Sequence, residues 1–141
     1  MSTTGSSTPP KPPITRFVLG GLIAGIAAAV VNNIYHMIYS SATGISIPQY
    51  VNVGSVTGGS VILLLVASIA YFVLSRFTAK AKLIFVAGTL ILTVVSFAAP
   101  LGSTLPDGTP TPEGFAGITL PMHIIAGLAA VVLIPRFADK R

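Results

Sequence analysis

Hydrophobic and polar positions in this chain separate into long blocks and do not alternate residue by residue. Four apolar runs, at 17–39, 56–75, 83–99 and 115–135, are divided by short stretches rich in Ser, Thr, Gly and Pro. About 20 apolar residues in a helix rise about 30 Å, the thickness of a hydrocarbon core. The pattern predicts an all-α fold, an integral membrane antiparallel four-helix bundle. The membrane domain spans 17–136, between a tail over 1–16 and a second tail over 137–141. The first tail is rich in Ser, Thr and Pro and is expected to be disordered.

Each run carries a face unlike the rest of it. In the first, FVLGGLIAGIAAAVVNNIYHMIY, Gly21, Gly25 and Ala29 recur every four residues. Such a small-residue ridge lets a neighbouring helix approach closely. The same ridge continues to Asn32 and His36, with Asn33 beside it. Amide and imidazole groups are costly against lipid, so this face should turn towards protein. Tyr35 and Tyr39 lie where an aromatic belt is expected. Helical spacing also predicts inward faces of Ser60, Ala67, Ser68, Tyr71 and Ser75 in the second run. In the third, Thr89, Thr93, Ser96 and Pro100 share a face; in the fourth, Thr119, His123, Gly127 and Ala130 do.

The third run is the shortest, and Pro100 and Leu101 are expected to extend it. Pro121 is expected in the first turns of the fourth helix, where a missing N–H is tolerated. The loop 40–55 has no charge and several apolar residues, and should follow the membrane interface. The stretch 100–114 reads as an exposed loop. Lys11 and Arg16 precede the first run as the basic start of a signal peptide would. That run is too long for a signal core, so an uncleaved first span is expected.

Composition sharpens the picture. Of 141 residues, 52% are hydrophobic and 8% charged, against roughly a quarter charged in a soluble domain. The net charge is +5, but the cations sit at the ends of apolar runs, which argues for a lipid bilayer as partner and against nucleic acid. With both termini cytoplasmic, every Lys and Arg falls on the inner side. The two outer connections then hold only Asp107 and Glu113. Loops obeying the positive-inside rule show this partition, and the expected topology is N-in, C-in.

That topology places His36, His123, Asn32, Asn33, Ser60, Thr93 and Ser96 in one layer of the outer half of the bilayer. Three readings stay open. The layer is structural glue, since such side chains cross-link membrane helices. Alternatively it is a cofactor or ligand site formed by His36, His123, Asn32 and Asn33, in which histidines ligate haem or a chlorin or hydrogen-bond a quinone. The third is a proton or solute path, weakened by the lack of charge within the spans. Cysteine is absent, and two histidines are too few for catalytic zinc, which takes about three protein ligands. No Ser, His and acid converge, so enzymatic function is not expected.

The stretches Leu120-Pro121-Met122-His123 with Ala126-Gly127, the closing Ile134-Pro135-Arg136 and the opening Gly20-Gly21-Leu22-Ile23-Ala24-Gly25 resemble a family of small bacterial four-span proteins of unknown function. The resemblance covers roughly 17–136. It implies a four-span fold in a bacterial inner membrane and no particular activity. The expected role is a structural or accessory subunit, with possible membrane partners among other subunits. The alternatives are a haem-, chlorin- or quinone-binding protein and a small-solute transporter. The internal repeat common in transporters is not visible.

Overall fold

The computed structural model describes residues 11–45, 47–105 and 107–140. Their helices are α1 (Ile14–Thr43), α2 (Val53–Phe77), α3 (Ala81–Val95), the short α4 (Ala98–Leu101) and α5 (Phe115–Ala138). α3 and α4 together form one apolar segment, Ala81–Leu101, so four helical segments are long and apolar enough to cross a bilayer. The expected extension of the third span by Pro100 and Leu101 is present, after a break in the helix at Ser96–Phe97.

Each of the four helical segments outruns its apolar block at one end or both, which corrects the expected boundaries. α1 begins at Ile14, straight after the extended Pro13, so residues 14–16 belong to the helix and not to the tail. The rest of the expected disordered tail, through Pro10, lies outside the described residues. α2 begins at Val53 because Asn52 caps it. The Asn52 side chain accepts from Ser55 N at 3.1 Å, and the Ser55 hydroxyl accepts from Asn52 N at 3.0 Å. This reciprocal box satisfies two otherwise orphaned donors. α5 runs on through Ala138, so 137–138 are helical too. Charge ends an apolar run, but it does not end a helix.

α1 is the axis of the bundle. It lies antiparallel to α2 and α5, which flank it and run parallel to each other, while α3 packs on α2 and α5 from the far side. Glycine makes this arrangement possible. A Cβ on Gly25 would sit 2.8 Å from Val61 Cα, and one on Gly21 would sit 2.9 Å from Leu64 O. On the opposite side, Gly20 meets the backbone of Ile134, with 3.1 Å between its hypothetical Cβ and the carbonyl oxygen. The expected small-residue ridge is therefore the α1–α2 contact. Ser60, Ser68 and Tyr71 are buried as expected; Leu64, which lies on the same face, is buried as well. At one end Phe17, Tyr71, Phe72 and Phe85 stack edge to tilted face at 4.8–5.3 Å.

The close approach at Gly25 gives a prediction with a built-in control. Gly25→Ala forces α1 and α2 apart and should destabilise the bundle by about 1–3 kcal/mol, as overpacking does. Gly58→Ala meets nothing within 4 Å and should be neutral or stabilising by helix propensity. Thermal or denaturant unfolding in detergent reads both.

Candidate functional site

At the end of the bundle away from the cations, α1 changes from small to polar residues. Asn32 is 3% exposed. Its Nδ2 donates to Ser60 Oγ at 3.3 Å and, at the long limit, to Met122 O at 3.5 Å. A backbone carbonyl only accepts, so the Met122 contact is consistent with the nitrogen at that end of the amide. Asn32 Oδ1 is thereby left buried and without a partner.

Asn32 lies in the wall of a cleft of about 440 Å³ between α1, α2 and α5, which also holds His123, Ser60, Met122 and the loop residues Tyr50 and Val51. A second cavity, of about 300 Å³, lies between α2, α3 and α5. The two share Leu63, His123 and Ala126 in their walls. The second is functionally apolar. Two of its hydroxyls are committed within their own helix, Thr93 to Thr89 O at 2.8 Å and Ser96 to Thr93 O at 2.6 Å. In the first, the Ser55 hydroxyl donates to Tyr50 O and that of Thr119 to Phe115 O. His123 is half-buried and faces both spaces.

The structure thus brings Asn32 and His123 together and sets the other two expected site residues apart. Asn33 Nδ2 donates to Ala29 O at 2.8 Å and Thr57 Oγ1 at 3.0 Å, on another groove of α1 and α2. His36 has a buried Nε2 without a partner, but it is in neither cavity wall that His123 faces. A haem held by both imidazoles draws no support from this arrangement.

Tyr35 and Tyr39 do something that spacing alone did not reveal. Pro121 is the seventh residue of α5, beyond the turn whose N–H groups are free in any helix, which corrects the expected placement. Its missing N–H deprives Gly117 O of its helical partner. The Tyr35 hydroxyl replaces it, donating to Gly117 O at 2.7 Å, while Tyr39 donates to Gly114 O at 3.1 Å. The ring of Tyr39 lies against Gly117, where a Cβ would come within 2.9 Å of its Cζ.

The loops close over this end. Ile45 packs onto Gly114, whose φ of 79° opens α5. The Thr109 hydroxyl and N–H hold the Asp107 carboxyl below its ordinary range. Desolvation, and then the charge of Asp107, hold the Tyr50 phenol above its own, so Tyr50 remains a neutral donor at the cleft mouth. Tyr50 and Val51 were not recognised as site residues from the sequence. The signal was the uncharged, partly apolar character of their loop.

Fold and site define a small multi-pass membrane protein, four apolar helices around a cleft whose wall carries Asn32, Ser60, Tyr50 and His123. The chain belongs to DUF6069, a family of unknown function, which it matches over residues 12–140. No curated protein and no solved structure matches it.

Removing the Tyr35 hydroxyl should leave Gly117 O unpaired and cost about 1 kcal/mol. Pro121→Ala supplies the absent N–H, so Tyr35→Phe should cost clearly less in that background. A double-mutant cycle of unfolding in detergent measures the difference.

Proposed function

We propose that this protein is a binding protein of the bilayer, holding a small amphiphile with its head in the Asn32–His123 cleft and its tail in the adjoining apolar cavity. The observation that carries the proposal is a cleft of about 440 Å³ walled by Asn32 and His123 and adjoined by a mostly apolar cavity of about 300 Å³. One polar end and one apolar end suit a ligand of the same build. The cleft wall includes Leu63, which is 56% exposed, so a ligand can enter sideways from the lipid. The role is binding and not catalysis, in keeping with the absence of cysteine and of any carboxylate within the spans.

A second role, as an accessory subunit of a membrane assembly, rests on the third span. Only 11% of its apolar window is enclosed, against 39% for α1, which leaves one broad flank for lipid or another subunit.

The protein should be purified from membranes in mild detergent, sized, and extracted with organic solvent for mass spectrometry. A near-stoichiometric amphiphile should appear in the wild type and be lost in Leu63→Trp, which fills the shared wall. An extract without one would refute the binding role, and a lone monomer would count against the accessory role.

We place the protein in a bacterial inner membrane with both termini cytoplasmic. The support is that Lys11, Arg16, Arg76, Lys80, Lys82, Arg136 and Lys140 gather at one end of the bundle. Lys11 donates to Arg76 O and Arg16 to Lys140 O. Because the chain has no cysteine, single replacements report cleanly. A membrane-impermeant maleimide on intact cells should label Asp107→Cys and spare Lys80→Cys; the reverse would invert the topology.

A further inference from the structure

The cations gathered at one end of the bundle are not equivalent. Lys11, Arg16 and Arg76 donate to the backbone carbonyls of Arg76, Lys140 and Pro12, and Lys140 lies over the Phe137 ring at 4.7 Å. Arg76 and Arg136 stand in the last turns of α2 and α5, where the helix dipole favours a positive charge. Lys80 and Lys82 have neither kind of support. Both are exposed, and among the described residues their ammonium groups meet no acceptor. They flank the start of α3, whose first turn holds no acid and whose dipole opposes a cation there. Asp139, the one acidic side chain at this end, is already met by the Tyr71 hydroxyl at 2.8 and 2.9 Å.

We infer that Lys80 and Lys82 hold the headgroup of an anionic phospholipid whose acyl chains lie along the open flank of α3. That flank begins where the lysines end. Leu83 and Ile84, next in the helix, are exposed, as are Ile91 and Leu92 farther along. Phe77, 84% exposed at the end of α2, adds an aromatic ring at headgroup depth. Two unmatched positive charges continuous with an apolar strip complement a molecule with a negative head and alkyl tails. A protein covering the same strip would have to bring its own acid to the same depth, whereas lipid is already there. The opposite end of the bundle carries Asp107 and Glu113 and no Lys or Arg, so the preference belongs to one leaflet. The inference is independent of the cleft, and it gives the flank of the third span to lipid and not to a further subunit.

The test uses the whole chain, reconstituted with equal amounts of phosphatidylcholine and phosphatidylglycerol of the same acyl chains. It is re-extracted in mild detergent, sized, and its co-eluting lipid counted by mass spectrometry. One lysine near an anionic lipid is worth about fivefold, so phosphatidylglycerol should exceed phosphatidylcholine about tenfold or more. Lys80→Gln with Lys82→Gln should lose most of that excess, and Lys80→Arg with Lys82→Arg should keep it. Lys11→Gln with Lys140→Gln removes the same charge from the same end and should keep it too. All these side chains are exposed, and the wild-type ratio stands without any variant. No excess in the wild type overturns the inference. An equal loss in both glutamine pairs overturns it as well, the preference then belonging to the whole charged end and not to the hairpin. So does an oligomer that carries no phosphatidylglycerol, which would mean that protein covers the flank. None of these results bears on the Asn32–His123 cleft, whose own extraction test is separate.

Discussion

The architecture depends on how closely two backbones can approach along one side of α1. In a bilayer, association of helices gains little from the hydrophobic effect, because lipid is as apolar as a leucine surface; packing contacts must supply most of it. Gly21 and Gly25 let α2 lie against the α1 backbone, and Gly20 does the same for α5. α1 is thus thin on two sides, and α2 and α5 close around it. α3, which packs on α2 and α5 instead, occupies the outer groove and bounds the apolar cavity. Past Ala29 the α1 ridge turns to the larger Asn32, and there the bundle opens into the cleft.

A second constraint acts at the helix ends and at proline, where backbone carbonyls lack their usual partners. The chain answers with side chains from neighbouring helices. Tyr35 meets the carbonyl freed by Pro121. Lys11 and Arg16, next to the start of α1, reach the carbonyls of Arg76 and Lys140. Those carbonyls lie at the negative ends of α2 and α5, where a cation is also favoured by the helix dipole. Arg76 returns the contact through Pro12 O at 2.6 Å and lies over the Phe72 ring at 4.4 Å. The cations therefore join helices at one end, just as the tyrosines do at the other.

Much of this was legible in the sequence, because each visible pattern had a single physical cause. Glycine at every fourth position marks close approach, and it located the α1–α2 contact. Polar residues in an apolar run mark a protein-facing side, and Asn32, Ser60 and Thr93 all turned inward. Helix boundaries were not legible. Hydropathy reports where lipid ends, whereas Pro13, the Asn52–Ser55 box and Gly114 decide where helices end. Nor could periodicity distinguish Asn32 from Asn33. One hundred degrees of rotation separate them, and only the position of α5 determines which amide meets the cleft with His123.

That rotation also decides which space each amide borders. Asn33 spends its nitrogen on Ala29 O and Thr57, its oxygen is buried without a partner, and its residue is only partly buried. Thr93, Ser96 and Thr119 bond back to their own helices and ask nothing of a neighbour. The Asn32 amide is bonded in the same way as that of Asn33. Its nitrogen is held by Ser60 and Met122 and its oxygen is buried and unpaired, but the residue is the more deeply buried of the two and stands with His123 in the wall of the cleft. Glue accounts for the nitrogen. What such bonding does not fill is the open space beside Asn32 and His123 at that end of the bundle.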